Sequence, residues 1–409
     1  MSPPEKPNGE GCRILVIATK SPWPPVDGGR AVLWHTLGGL AQEGHRVTLV
    51  APVRPGEETG EAVSALRERC DPHLVDAVPR SAPRAVAAAL RSGDPLTVAR
   101  HRLRAVKEQV AVLVGRQRFD VVHVEQVQAW PQAAAARRHG LPVVHRAQNV
   151  EGELWRFAAH HRSPLVAPLF LAEARRLERF EAKVVRRAAV TVAFNELDAV
   201  ALRRVVGEGG GEVVSIPAPF PGELPPAREA LDGRPAVVLL ASGGWLPNRD
   251  LVRSFAARWH EVRATLPGAV LHLFSEGPSP LLADGVVRHP PPADSRTAFP
   301  AGAICVVPSR HATGIPVKAL EAWARGLPVL ASAEAVAGLE ATPDGDVLAY
   351  DGVLALRAVL ERLEREDGLR ERLVAAGRAT LARRHEPASV AGRLVELYRR
   401  IASRQRAAE

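Results

Sequence analysis

Between Arg310 and Glu321 the chain reads Arg-His-Ala-Thr-Gly-Ile-Pro-Val-Lys-Ala-Leu-Glu, and the residue types in this strip divide by the chemistry they could perform. Gly314 lets the backbone approach a ligand closely, and Pro316 suits the first turn of a helix, where its missing N–H costs nothing. A helix start carries unpaired N–H groups and a partial positive charge. With Arg310 and Lys318 bracketing it, the strip would receive a phosphate well. Glu321, one turn further on, suits the hydroxyls of a ribose instead. On a plain amphipathic helix, Lys318 and Glu321 would be no more than an exposed i, i+3 pair.

Other candidate groups fall where strands end. Gly28 and Gly29 follow the first strand, a place for backbone N–H groups to touch a phosphate, although a tight turn would look the same. Ser242-Gly-Gly-Trp-Leu-Pro-Asn-Arg249 holds the matching place in the second half of the chain, and Arg249 there is a further phosphate candidate, with a surface turn as the alternative. His123-Val-Glu125 and Arg146-Ala-Gln148-Asn149-Val-Glu151 end neighbouring strands and are expected to face a cleft. Glu125 could orient an incoming hydroxyl or stabilise positive charge at a reacting carbon, or simply cap the next helix.

These groups need strands to carry them. Short apolar runs alternate with helical patterns almost throughout, which predicts parallel sheets covered on both faces. Strands are expected over Arg13–Ala18, Arg46–Ala51, Phe119–Val124, Leu141–His145 and Ala189–Ala193, with a loop through Gly29 and a helix over Ala31–Glu43. The proline-rich stretch after Ile216 reads as a linker, and a second series follows at Ala236–Leu240, Val270–Phe274, Ala303–Val307 and Leu327–Ala331. The predicted organisation is a first domain over 12–217, a linker over 218–235, a second domain over 236–386 and a closing helix over 387–404. In open parallel sheets, ligands bind outside the carboxyl ends of the strands.

The 310–328 strip resembles the donor-site signature of the GT-B glycosyltransferases of family 4, in which two glutamates flank a glycine-rich turn. Glu321 matches the second glutamate, and Thr313 stands at the place of the first. The chain is more similar to a branch reading Arg, several small residues, Gly, three residues, Lys, two residues, Glu. That branch tends to carry Trp-x-Pro-Asn in the earlier loop, as Trp245, Pro247 and Asn248 do here. The resemblance implies two Rossmann-like domains facing across a cleft, with the helix from Ala388 to Arg404 crossing back to the first. It implies a glycosyltransferase using a nucleotide-sugar donor, with retention of configuration. By the same resemblance Arg310, Lys318 and Glu125 would carry the chemistry. Gly28, Gly29, Asn248, Arg249, Thr313, Gly314, Ile315 and Glu321 would hold the donor, and Arg146, Gln148, Asn149 and Glu151 would meet the transferred sugar and a glycan, lipid-linked or small-molecule acceptor. Two rivals stay open. One is a nucleotide-sugar 2-epimerase using Glu125, His289 and His311; the other is a non-catalytic sugar-nucleotide-binding scaffold protein.

Composition narrows the classes. With 409 residues, 46% of them apolar, the chain can fill two or three cores. Three scattered cysteines offer no zinc site, no cluster of aspartates stands out for Mg²⁺ or Mn²⁺, and no cofactor is expected. G-x-G-x-x-G is absent, which argues against a nicotinamide-dependent dehydrogenase. The formal net charge of +9 calls for an anionic partner or a solvated surface. Arginines crowd the alanine-rich stretch from Arg80 to Arg118, a basic amphipathic segment suited to an anionic membrane face or to plain solvation. Nucleic acid ranks low, since aromatics are scarce and no recognition pattern interleaves with the arginines. Without a spanning run or a signal core, the expected location is cytoplasmic, with peripheral attachment to the inner membrane face as an option.

Overall fold

The structure is a computed structural model, and it describes residues 11–57, 59–225, 227, 229–241, 246–275, 283–292, 294–311 and 313–408. The first half of the chain runs β1 (Arg13–Ile17), α1 (Gly28–Gln42), β2 (Arg46–Val53), α2 (Gly60–Arg67), β3 (Asp71–Asp76), α3 (Ala82–Ser92), α4 (Leu96–His101), α5 (Arg104–Arg116), β4 (Val121–Glu125), α6 (Ala134–Arg138), β5 (Val143–Ala147), α7 (Glu151–His160), α8 (Ala167–Arg187), β6 (Val190–Ala193), α9 (Glu196–Val206) and β7 (Val213–Ser215). The second half runs β8 (Ala236–Leu240), α10 (Leu246–Ala257), α11 (Trp259–Arg263), β9 (Val270–Phe274), β10 (Val286–His289), β11 (Ile304–Val307), α12 (Val317–Ala324), β12 (Val329–Ser332), α13 (Ala333–Leu339), β13 (Leu348–Tyr350), α14 (Gly352–Arg365), α15 (Leu369–Thr380) and α16 (Pro387–Ala408).

Two parallel sheets result, ordered β3-β2-β1-β4-β5-β6-β7 and β10-β9-β8-β11-β12-β13. Their central strands are near-continuous runs of Val, Ile, Leu and Ala because helices cover both faces; β1, β4 and β5 show almost no exposed residue. In each sheet the strand order reverses beside the first strand of the series, between β1 and β4 and between β8 and β11. At such a switch point the flanking loops diverge and leave a crevice. This is the GT-B architecture of two Rossmann-like sheets.

The final helix belongs to the first core. Val390, Leu394, Tyr398 and Ile401 of α16 pack with Ile14, Leu37 and Val121. Close approach is possible because Gly39 of α1 has no side chain: a Cβ there would lie 2.4 Å from the carbonyl oxygen of Pro387. Among the described residues, no helix is long and apolar enough to cross a membrane. The Gly28-Gly29 pair, expected in a loop, forms the first turn of α1, because the Asp27 carboxylate accepts from the Arg30 N–H (3.0 Å) and starts the helix there.

Leu394 is fully buried at the α1–α16 seam, so Leu394→Ala is expected to cost about 2–5 kcal/mol of stability. Denaturant unfolding of the two proteins measures it. A change within experimental scatter would mean that α16 adds little to the first core.

Candidate active site

The carboxyl ends of the two sheets meet around the loop before α12. Gly314 takes a left-handed conformation, with φ of 78°. A Cβ at this position would lie 2.2 Å from Oδ1 of Asn149, so another residue would have to displace that side chain and also adopt the left-handed backbone that favours glycine. The Gly314 N–H donates to Oδ2 of Asp198 (2.9 Å), its carbonyl accepts from Asn195 Nδ2 (3.3 Å), and the Thr313 hydroxyl accepts from the Val150 N–H (2.8 Å). Thr313 also donates to Asp198. The loop is thereby seated on the starts of α7 and α9 in the first domain.

Thr313, expected to help hold the donor, is largely buried and lines the cavity beside this seam, and its hydroxyl is hydrogen-bonded within the seam. Asp198 and Asn195 were not singled out in the sequence, where they read as an ordinary helix start. Asn195 indeed caps α9 by accepting from the Asp198 N–H, and its amide is left to reach Gly314 and Gly338. Burial raises the Asp198 carboxyl to about 6 against the lowering effect of the Gly314 N–H and Thr313.

Beside the seam lies a cavity of about 370 Å³. From the second domain Arg310, His311, Gly314, Ile315, Lys318 and Glu334 line it; Asn149, Glu151 and Phe157 line it from the first. Arg310 is exposed and donates to Ser254 (3.2 Å). Lys318 donates to the carbonyl of Leu240 at the end of β8 (3.0 Å), and burial lowers its ammonium below the usual lysine value. Glu334, at the start of α13, was also missed. Its only sequence signal is the capping serine two residues earlier, Ser332, which accepts from Ala335 N.

Several expected residues lie behind the cavity rather than on it. Glu125 is 2% exposed; one carboxylate oxygen accepts from His123 Nε2 (2.8 Å), the other from Gln148 Nε2 (2.7 Å). Burial pushes this carboxyl up, but the bond from His123, the charge of Arg146 and the bond from Gln148 outweigh it and hold it below the ordinary value. His123 is in turn hydrogen-bonded through Nδ1 to the Tyr398 hydroxyl of α16 (2.5 Å). Gln148 accepts from Gln126 (2.7 Å) and lies against Gly29, where a Cβ would be 2.9 Å from its side-chain oxygen. Gly28 faces Val317 of α12 in the same way, at 3.1 Å. The glycine pair therefore lets the first helix pack under the cleft.

Arg146, expected at the acceptor side, is fully buried. It donates to Thr36 (2.8 Å) and lies over the Phe194 ring at 4.7 Å, because the last strand residues of β5 point into the core as well as toward the cleft. Glu321, one turn beyond Lys318 on α12, is not among the residues that line the cavity, and one carboxylate oxygen accepts from Ser295 (2.6 Å) and from Arg325 (2.8 Å and 3.0 Å). The residues proposed for an epimerase are scattered: His289 bonds to His272 (2.9 Å) and stacks on Phe274, and His311 bonds to the Thr313 carbonyl (3.2 Å). Gly244 and Trp245 lie outside the described residues, as do the side chains of Asn248 and Arg249.

At the α7 start the half-buried Glu151, which lines the cavity, stands next to the buried Glu181. Glu181 accepts from the N–H groups of Glu151 (2.7 Å) and Gly152 (3.1 Å). Burial, with the neighbouring Glu151 charge, raises Glu181 to about 8, and burial raises Glu151 too against hydrogen bonds from Gln128 and Asn149.

The chain thus has a GT-B fold with a polar cavity at the junction of its domains. Residues 236–363, the second sheet and its helices, match the family model described as glycosyl transferases group 1. Similar solved structures share the fold over nearly the whole chain. Sucrose-phosphate synthase from Thermosynechococcus elongatus superposes with a TM-score of 0.70 at 17% identity, covering 96% of this chain and 99% of its own. Anabaena HepE, solved with UDP and glucose, gives 0.63 at 14% identity, covering 94% and 99%. A glycosyltransferase from Rickettsia africae gives 0.63 at 13%, covering 96% and 99%. No curated protein matches the sequence significantly.

The raised Glu181 carboxyl sets a pH dependence. In the fold it keeps its proton to a higher pH than in the unfolded chain, so the fold is favoured at low pH and loses that advantage as pH rises from about 4.5 to about 8. The melting temperature is expected to fall across that window, and Glu181→Gln to flatten the profile. Parallel profiles for the two proteins would contradict the assignment.

Proposed function

We propose that the protein transfers a sugar from a nucleotide-sugar donor to an acceptor hydroxyl, with retention of configuration and with phosphate charge met by side chains and backbone rather than a metal. One observation carries the reading: a cavity between two GT-B domains has Arg310, Lys318 and the start of α12 on one wall and Asn149 and Glu151 on the other. The match of the second domain to glycosyl transferases group 1, and the UDP and glucose in a structure of the same fold, support a nucleotide sugar as donor.

In this reading the diphosphate lies against Arg310, Lys318 and the positive end of α12, where the Val317 and Ala319 N–H groups already bond to the Ile315 and Pro316 carbonyls. As the glycosidic bond breaks, negative charge grows on the diphosphate. Cations already in place lower the barrier more than they tighten binding of the intact donor. The lowered Lys318 ammonium fits such a site, since a diphosphate supplies the negative charge that burial alone denies it. Front-face attack lets the departing phosphate take the acceptor's proton, and retention follows. In this reading Glu334, on the cavity wall near Thr313, accepts from a hydroxyl of the transferred sugar. Glu321 is the ribose partner, with Arg325 and Ser295 fixing its orientation. Glu125 acts from beneath by orienting Gln148.

Lys318→Ala and Arg310→Ala are each expected to lower kcat by about a hundredfold, the scale of losing one well-placed electrostatic donor. Steady-state kinetics on nucleotide sugars, with free nucleoside diphosphate as readout and only when acceptor is present, tests this. Wild-type kcat in both variants would remove the donor assignment. Donor binding without turnover across a broad acceptor panel would leave a binding protein in its place.

Turnover is also expected to persist in excess EDTA, because the cations of the cavity wall stand where a divalent ion would act. Activity lost on chelation and restored by Mg²⁺ or Mn²⁺ would contradict it.

A further inference from the structure

The first domain carries an apolar surface that the cavity does not use. Among the described residues the three most exposed large apolar side chains are Leu165 (90%), Leu90 (76%) and Leu169 (70%), with Val86 at 47% and Val166 at 38%. They come from two places in the chain, the turn between α7 and α8 and the outer face of α3. Hydrogen bonds tie the end of α3 to α8. Arg176 of α8 donates to the carbonyls of Ala89 (3.3 Å) and Asp94 (2.7 Å) at the end of α3, and Glu173 of α8 accepts from the Leu96 N–H. Leu169 lies one helical turn, about 6 Å, before Glu173, and Leu90 directly follows Ala89.

On α3 the side chains divide into three faces. Ala85 and Ala89 are buried, Val86 and Leu90 stand exposed one turn apart, and Arg84 and Arg91, seven residues apart, share the next face. Among the described residues Arg84, Arg91 and Arg100 have no carboxylate partner, whereas Arg80 is spent on the carbonyls of Ala99 and Arg102, Arg102 on Asp94 and Arg104 on Glu108. The turn itself, Ser163-Pro-Leu-Val-Ala-Pro-Leu, has no charged residue. Behind it Phe170 stacks with Trp155 (5.2 Å), and the Arg162 guanidinium lies over the same ring (5.2 Å).

We infer that this surface docks the protein on an anionic lipid bilayer, with Leu165, Leu169 and Leu90 entering the interface and Arg84, Arg91 and Arg100 meeting the headgroups. The charge and the shape both favour a bilayer over a protein partner. Protruding leucines separated by proline and arginine suit a fluid surface that fills in around them, and unpaired arginines beside exposed leucines are the pattern of interfacial helices. Attachment here is independent of the transfer reaction proposed for the cavity.

Co-sedimentation with phosphatidylcholine vesicles, with and without phosphatidylglycerol, at low and high salt, tests the inference. Wild-type protein is expected to bind the anionic vesicles, more weakly as salt rises, and the neutral ones poorly. L165S/L169S and R84E/R91E are each expected to lower the partition coefficient by roughly tenfold with the melting temperature unchanged, since all four side chains are exposed. No binding to anionic vesicles, or equal binding by wild type and L165S/L169S, would overturn it. So would self-association that L165S/L169S abolishes in a protein that ignores vesicles, which would assign the surface to a second copy of this chain.

Discussion

The geometry of the cavity depends on one hydrogen bond, from the Gly314 N–H to the Asp198 carboxylate. The donor sits at the loop that opens α12 and the acceptor at the start of α9, so the bond sets the two sheets at a fixed separation where their strand ends meet. Asn195 and Thr313 reinforce it from either side. A hydrogen bond to an ionised group is roughly twice as strong as a neutral one. The partly desolvated Asp198 loses part of that advantage to burial, which its raised carboxyl records. The seam therefore combines the gain of these hydrogen bonds with the cost of holding a buried carboxylate ionised above a pH of about 6.

Behind the seam, a buried polar chain ties the last helix of the protein to the cleft. Tyr398, His123, Glu125 and Gln148 are linked in series, and Gln126 with Thr19 extends the chain to the end of β1. Buried polar groups are costly unless satisfied, so each member holds its neighbour in one orientation. The outcome is that a helix some 275 residues beyond His123 in sequence takes part in fixing the floor under the Gly28-Gly29 turn. A crossing helix that only filled apolar volume would not need a tyrosine hydroxyl at that place.

Much of this was legible from the sequence and some was not, for reasons that differ residue by residue. Strands such as Val270–Phe274 announce themselves as short apolar runs, and the stretch from Ala303 to Ala331 reads correctly as strand, loop, helix and strand because glycine and proline punctuate it. Helix α1 starts three residues before the expected Ala31 because the glycine pair masks the cap that Asp27 provides. Arg146 and Glu125 were placed at the cleft because they end strands. In a strand covered on both faces, alternation does not tell which end residue looks outward, and a buried arginine over Phe194 leaves no mark in the sequence. Asp198 was out of reach for another reason: its partner is 116 residues away, and no local pattern encodes a contact made only when two domains close.

The walls of the cavity differ in electrical character, and this gives the proposed reaction a direction. On the first-domain side, Glu151 and its neighbours Glu181 and Asp198 are carboxyls whose ionisation burial makes costly. On the second-domain side stand the cations Arg310 and Lys318, with Glu334 beside them. In the proposed reaction the diphosphate is drawn to Arg310 and Lys318, and the sugar lies between Glu334 and the first-domain wall. Positive charge developing on the anomeric carbon then arises beside carboxyls whose ionised form it would favour, while negative charge leaves toward the cations. Bond breaking would thus move charge in the sense that the fixed groups already favour, and that polarity exists only while the Gly314 seam holds the two walls face to face.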